Sequence, residues 1–429
     1  MSPTLLAIVC LVVLLLLMFL RMPIAFAMLL IGFLGVAIFS NVESALHLVA
    51  SDIYRQFSSY TMAVIPLFVF MGQVVYQSGM STKLFDAAYK WIGSLRGGVA
   101  ATTIATSVAF SSVSGSNSAS TATMGAVALP ELRKYNYNRG FAGGSVAIGG
   151  TLGIILPPST ALIIIAVQSE QSISTLFQAS LFPGLLVAAL LLITAFVIAW
   201  MNPKLGPAGS KSSWQERFRS LDGVLQVVIL FLIAIGGMLL GWFTPTEAAG
   251  VGAFGAVVIT WLTRSLTWEK FWRSIIDTLR TSAFVVLLVT SAIVFGRFLS
   301  LTRLPFDLAD WVSQLSVAPV VVLLIVIGIY LVGGALMDAM GFLVISIPIF
   351  FPLLVSLGYD LVWTTIIVTL VTTLGAVTPP VGVNVFIVSG MSKELDVMTV
   401  FRGVLPFFIP YALAIAAFII FPDLILFAI

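Results

Sequence analysis

Apolar runs of roughly 17 to 25 residues recur from one end of this chain to the other. Each is long enough to cross a hydrocarbon core of roughly 30 Å. In that medium the backbone must satisfy its own hydrogen bonds, so the spanning elements to expect are helices. The 429 residues are 60% hydrophobic and 9% charged, with a mean hydropathy of +1.15. A soluble domain of this size needs far more polar surface to stay dispersed. The chain therefore reads as an all-α polytopic membrane protein.

The net charge of +3 is small and scattered over loops. It points to no nucleic-acid partner; Lys and Arg here set orientation in the lipid bilayer. Cys10 stands alone, which excludes a disulfide framework and a Cys-rich metal site. His47, beside Glu43 and Asp52, reads as an ordinary loop residue. No basic residue precedes the run Leu5 to Leu20, and Arg21 follows it, which suits a first spanning helix better than a cleaved signal.

The spans expected are 4–20, 22–40, 60–78, 176–200, 223–243, 246–263, 281–299 and 403–427, with two further segments, 140–168 and 361–389, carrying Pro-Pro pairs. Stretches 97–130 and 317–355 hold small and polar residues in their middles and suit re-entrant helical hairpins. Irregular backbone at that depth survives only when buried in protein or lining a wet cavity. Segments 82–95 and 305–315 are short and amphipathic, suited to interfacial arms.

A repeat is legible. Thr151-Leu152-Gly153 before Pro157-Pro158 matches Thr373-Leu374-Gly375 before Pro379-Pro380 at an offset of 222. Phe85-Asp86 with Trp91 echoes Phe306-Asp307 with Trp311, and Phe177 with Pro183 echoes Phe401 with Pro406. The division expected is a first repeat over 1–200, a cytoplasmic linker over 201–222 and a second repeat over 223–429, each repeat with five spans and one hairpin. Lys83, Lys90, Arg96, Arg133, Lys134 and Arg139 flank the first hairpin and place its base in the cytoplasm. Asp307, Asp310 and Asp360 flank the second, whose base then faces outside. Loops 202–222 and 264–280 fall inside and 169–175 outside. The repeats are thus inverted, an arrangement that puts a transport site near the midplane, and both termini come out periplasmic.

Four constellations carry chemistry. The first tip, Ser111 to Thr121, is crowded with Ser, Thr and Asn. Burying such groups without partners costs several kcal/mol each, so a helix, an ion or a polar substrate must satisfy them. Small-residue helix packing also uses Ser and Gly, but it needs no Asn. The Pro157-Pro158 and Pro379-Pro380 pairs should break their helices near the midplane. Each break frees carbonyls that suit Na⁺ and N–H groups that suit a carboxylate. The second tip carries Asp338, the one carboxylate within the expected membrane core of the second half, able to ligate a cation, carry a proton or cap a half-helix. No Lys or Arg sits at the tips or breaks. No G-x-x-x-x-G-K-[ST] or H-E-x-x-H motif is present, which speaks against a P-loop ATPase and a zincin.

These residues resemble the large membrane subunit (the DctM family) of tripartite ATP-independent periplasmic (TRAP) transporters. The resemblance rests on Gly153 to Ser159, Thr378 to Asn384, the Ser-Gly-Ser-Asn tip at 114–117 and the Gly-Gly…Asp-x-x-Gly tip at 333–341. It implies a non-enzymatic Na⁺-driven elevator of the bacterial inner membrane with an ion-transporter-like fold. It also implies a small four-helix membrane subunit, on a separate chain, and a periplasmic substrate-binding protein. By position it implies a first Na⁺ site at Ser114, Ser116, Asn117, Gly149, Thr151 and Gly153, and a second at Gly334, Asp338, Thr372, Thr373, Ala376 and Thr378. Substrate would lie near Ser118, Ser159 and Asn384. The implied cargo is a small organic carboxylate such as sialic acid, another sugar acid or a C4-dicarboxylate, with Na⁺ as coupling ion and no other cofactor. A stand-alone Na⁺/anion symporter and an intramembrane lipid-modifying enzyme remain the alternatives.

Overall fold

The computed structural model describes residues 2–314, 317–427 and 429, apart from the side chains of Ser112 and Val113. Leu315, the end of the expected second arm, lies outside them, as do those two side chains of the first tip. Among the described residues every regular element is helical, and nine helical segments are long and apolar enough to cross a bilayer.

The first half runs α1 (Pro3–Phe19), α2 (Ile24–Phe39), α3 (Val42–Phe57), a 3₁₀ turn at Tyr60–Ala63, α4 (Val64–Gln77) and α5 (Met80–Ile92). It continues with α6 (Gly98–Ser114) and α7 (Asn117–Lys134), then α8 (Arg139–Gly150), α9 (Leu152–Ile155), α10 (Thr160–Gln168) and α11 (Ile173–Met201). The second half runs α12 (Trp214–Phe231), a π-helical turn at Leu232–Gly236, α13 (Gly237–Leu239), α14 (Pro245–Leu262), α15 (Trp268–Leu301) and α16 (Leu304–Gln314). It ends with α17 (Pro319–Leu336), α18 (Ala339–Ser356), α19 (Leu361–Gly375), α20 (Val383–Gly390), α21 (Val397–Ile420) and α22 (Asp423–Leu426). Both expected hairpins are present, as α6–α7 and α17–α18, and both expected arms are helices, α5 and α16.

Two stretches differ from the sequence reading. Residues 42–57, expected as a loop, form α3, whose Asn41 side chain accepts the Ser44 N–H at 2.7 Å as a cap. The helix lies outside the apolar-run pattern because it is amphipathic; its buried face carries Asp52, which receives Arg297 of α15 at 2.9 Å. His47 sits exposed on α3, and no group of three His, Cys, Asp or Glu able to hold a metal occurs among the described residues. The expected loop 264–280 is mostly the first half of α15. Thr267 caps that helix by accepting the Lys270 N–H at 3.3 Å. At 34 residues α15 is about 50 Å long, more than a bilayer core is thick.

The sequence halves are not separate packing units. One group gathers α2, α4, α12, α14 and α15, where α2 lies along α15 and α4 against α14 and α15. The other gathers both hairpins, α8 to α11 and α19 to α21, where α8 lies along α21, α17 along α19, and α6 and α7 along α8. The arms join them: α5 touches α12 and α6, and α16 touches α1, α15 and α18. Thr4 of α1 donates to Asp307 of α16 at 2.6 Å. A cavity of about 740 Å³ opens between the groups, lined by Arg55 and Arg297 on one side and Gln168, Gln171 and Pro348 on the other.

The α8–α21 crossing depends on glycine. A Cβ on Gly403 would sit 1.7 Å from the Gly140 carbonyl oxygen, and one on Gly144 would sit 2.3 Å from the Gly403 carbonyl carbon. Backbone cannot yield as a side-chain tip does, so Gly403→Ala should cost the upper end of the about 1–3 kcal/mol typical of overpacking. The check is the thermal unfolding midpoint in detergent; a wild-type midpoint would mean the crossing is looser than described.

Candidate functional site

The first tip turns on Gly115, whose φ of +61° is open to glycine at little cost. Ser116 then caps α7, its hydroxyl accepting the Ala119 N–H at 3.5 Å. Ser114 and Ser120 hydroxyls meet across the turn at 2.6 Å. The tip is pinned to the first break: the Thr160 hydroxyl donates to the Gly115 carbonyl at 2.7 Å. Gly153 approaches so closely that a Cβ there would fall 2.5 Å from the Ser116 carbonyl oxygen. Ser114, Ser116, Asn117 and Gly153 are thus brought together, while Gly149 lies lower, against Ser107. Asn117 is 2% exposed, and neither atom of its carboxamide has a partner. The Ser111 and Thr121 hydroxyls, also buried, are unpartnered too. Each such group costs about 1–3 kcal/mol if left dry and unbonded.

At the first break α9 ends at Ile155, Leu156 is extended, the Pro157-Pro158 peptide is cis, and α10 starts after Ser159. The Ser159 hydroxyl donates to the Ile154 carbonyl and accepts the Leu162 N–H, and Ser159 is fully buried. This expected substrate residue therefore spends its hydrogen bonds on the break itself. The Thr151 hydroxyl donates to the Ile148 carbonyl at 2.6 Å.

The second tip is Met337-Asp338. Asp338 caps α18, its carboxylate accepting the Met340 N–H at 3.1 Å and the Ser118 hydroxyl at 3.4 Å. The two hairpins thus touch tip to tip. Ala339 and Met340 cover Ile154 and Ala161 beside the first break. On the other flank α17 presses on α19, where a Cβ on Gly334 would lie 2.3 Å from the Thr372 carbonyl oxygen. The second break follows α19: Ala376, Val377, Thr378, the cis Pro379-Pro380 peptide, Val381, and Gly382 at φ +61°. The Gly382 N–H donates to the Ala335 carbonyl at 2.9 Å, and the Asn384 N–H to the Ala376 carbonyl at 3.0 Å. The Asn384 side chain is fully buried and reaches the first half, donating to the Ala147 carbonyl at 3.2 Å; its oxygen has no partner. Thr372 and Thr378 donate their hydroxyls within α19, to Val368 and Leu374. Thr373 likewise donates within α19, to Leu370 at 2.8 Å, and its hydroxyl also meets Tyr411 of α21 at 2.8 Å.

The two breaks differ in cover. Pro157 and Pro158 are buried, whereas Pro379 and Pro380 are exposed. Chemically, the helix ends around the tips offer freed carbonyls from α6, α17 and α19, and freed N–H groups from α7, α10, α18 and α20. The sequence reading missed Thr160, which holds the first tip, and Tyr411. The hydroxyl of Tyr411 within an otherwise apolar run was the available signal for it.

The DctM component of the tripartite ATP-independent periplasmic transporter family matches residues 11–424. The chain is 31% identical to a C4-dicarboxylate TRAP transporter large permease protein of Pseudomonas aeruginosa, over 84% of each chain. It is 31% identical to a 2,3-diketo-L-gulonate TRAP large permease protein of Escherichia coli K12, over 94% of each. A sialic acid TRAP large permease protein of Vibrio cholerae is 30% identical over 95% of this chain and 94% of its own. Among solved structures, the Alcanivorax borkumensis YdaH transporter superposes with a TM-score of 0.64 at 13% identity, covering 89% of this chain and 90% of that one. Neisseria gonorrhoeae MtrF gives 0.56 at 17% identity over 88% and 84%. Those two likenesses speak for the fold. With the family matched over nearly its whole length and its spans in place, this chain is a multi-pass membrane protein and belongs to the DctM family, the large permease component of TRAP transporters.

Proposed function

We propose that this subunit imports a small organic carboxylate across the bacterial inner membrane, driven by Na⁺, by an elevator movement. The observation that carries the proposal is the meeting of the two tips, Ser118 against Asp338, beside an Asn117 carboxamide that is buried and unpartnered. A buried amide with no protein partner fits a ligand that arrives and leaves. Oxygen donors dominate the surroundings, which suits a hard cation such as Na⁺. In this reading the first ion uses Asn117 with oxygens from Ser114, Ser116, Gly149, Thr151 and Gly153. The second uses Asp338 with oxygens from Gly334, Thr372, Thr373, Ala376 and Thr378. Substrate lies by Ser118 and Asn384, with the N-termini of α7 and α20 toward its carboxylate. The Ser159 hydroxyl is already engaged, so its part is to shape the break.

The two packing groups joined by arms, with a cavity between them, support one group sliding against the other. The relatives' names, covering C4-dicarboxylate, diketogulonate and sialic acid, support a carboxylate as cargo. Family membership supports a small membrane subunit and a periplasmic binding protein as partners. The inverted arrangement, with 1–200 and 223–429 as oppositely oriented repeats and both termini periplasmic, rests on the loop charges.

Four outcomes are expected. Vesicles holding both membrane subunits should accumulate substrate only with an inward Na⁺ gradient and the binding protein present. Uptake by this chain alone would instead mark a stand-alone symporter, and uptake indifferent to Na⁺ would remove the coupling ion. Asn117→Ala should cut Na⁺-dependent uptake about tenfold or more, the equivalent of one lost strong polar contact. Asp338→Ala should raise the half-saturating Na⁺ concentration with insertion intact. Unchanged Na⁺ curves for both variants would clear these residues from the site. Single cysteines placed at Lys134 and Asp310 should react with impermeant thiol reagents from opposite faces of the membrane; labelling from one face would abolish the inverted topology.

A further inference from the structure

Tyr411 stands between the two breaks and belongs to neither. It is fully buried on α21, as are Thr151 and Thr373. Its hydroxyl lies 2.8 Å from the Thr373 hydroxyl, and the Thr151 side chain faces it as well. Thr373 donates its own proton to the Leu370 carbonyl at 2.8 Å, and Thr151 donates to the Ile148 carbonyl at 2.6 Å. With both threonine protons placed on carbonyls, the Tyr411 hydroxyl is left to donate to the Thr373 oxygen, with the Thr151 side chain of the other break segment beside it. Thr151 and Thr373 occupy equivalent places, each in a Thr-Leu-Gly run ahead of a Pro-Pro pair.

We propose that Tyr411 is a positioning residue that ties the two breaks together, so that an ion ordering one break also orders the other. The proposal rests on the sodium reading above and adds to it cooperativity and the residue that carries it. The threonine hydroxyls are taken up by Tyr411 and by the helix, which leaves their main-chain carbonyls for the ions. A bridge of this kind couples sites by ordering: a segment stiffened by the first ion needs less ordering for the second. The Asn384 bridge to Ala147 runs in parallel but uses a different helix pair, so removal of the phenol oxygen isolates the Tyr411 path.

The test is Na⁺ binding by purified protein, read as the rise in unfolding midpoint when NaCl replaces choline chloride at constant ionic strength. Wild type should give a Hill coefficient approaching about 2, the ceiling for two sites. Tyr411→Phe keeps the ring and removes the bridge; its Hill coefficient should fall to about 1, with half-saturation raised severalfold. Thr373→Val should reproduce that loss and carries the result if Tyr411→Phe does not fold. A Hill coefficient unchanged in Tyr411→Phe or Thr373→Val, or a sodium-responsive wild type already at about 1, overturns the coupling while sparing the sodium reading. A wild type that ignores Na⁺ brings down that reading, and the coupling with it.

Discussion

Peptide groups freed in the middle of a membrane must find partners within the protein, and this fold is arranged around that need. Two hairpins and two breaks stop their helices deep in the chain. Some of the partners come from the break itself, as with Ser159 and the Ile154 carbonyl, and others from another element. Thr160 serves the Gly115 carbonyl, and Gly382 serves the Ala335 carbonyl. Asn384 crosses from the second half to the Ala147 carbonyl of the first. Because the Asn384–Ala147 and Ser118–Asp338 contacts cross between halves, the interrupted helices of the two halves are bonded to each other.

The satisfaction is incomplete around the first tip. There Ser111, Asn117 and Thr121 are buried without partners, while the breaks next to them are well bonded. Native interiors rarely leave such groups idle, and an unexplained cluster usually marks a role. The unequal cover of the breaks belongs with this. Buried Pro157-Pro158 against exposed Pro379-Pro380 means that the two halves, alike in sequence, hold unlike positions in this conformation.

Much of this was legible beforehand, for physical reasons. A bilayer imposes minimum lengths, so the long apolar spans announced themselves, and paired prolines marked both interruptions. Small and polar residues amid apolar arms gave away α6–α7 and α17–α18. What escaped notice was whatever lacked that signature. Helix α3 has a polar face, and the start of α15 is charged, so both passed for loops. Side-chain direction escaped too. The Ser159 hydroxyl bonds within its own break, and the Thr151 and Thr373 hydroxyls serve the Ile148 and Leu370 carbonyls, that of Thr373 also meeting Tyr411. The contacts from Ser118 to Asp338 and from Asn384 to Ala147 join residues more than 200 positions apart, and no local pattern encodes them.

The charge at the tips has an electrostatic consequence. Asp338 is the sole ionisable side chain across both tips and both breaks, and no guanidinium or ammonium group faces it there. With Asp338 ionised, an arriving carboxylate would meet like charge in a medium that screens poorly. For a monocarboxylate cargo electroneutrality would then require two monovalent cations, one for the protein and one for the cargo. A third would make the loaded assembly positive, and a negative membrane interior would pull it inward.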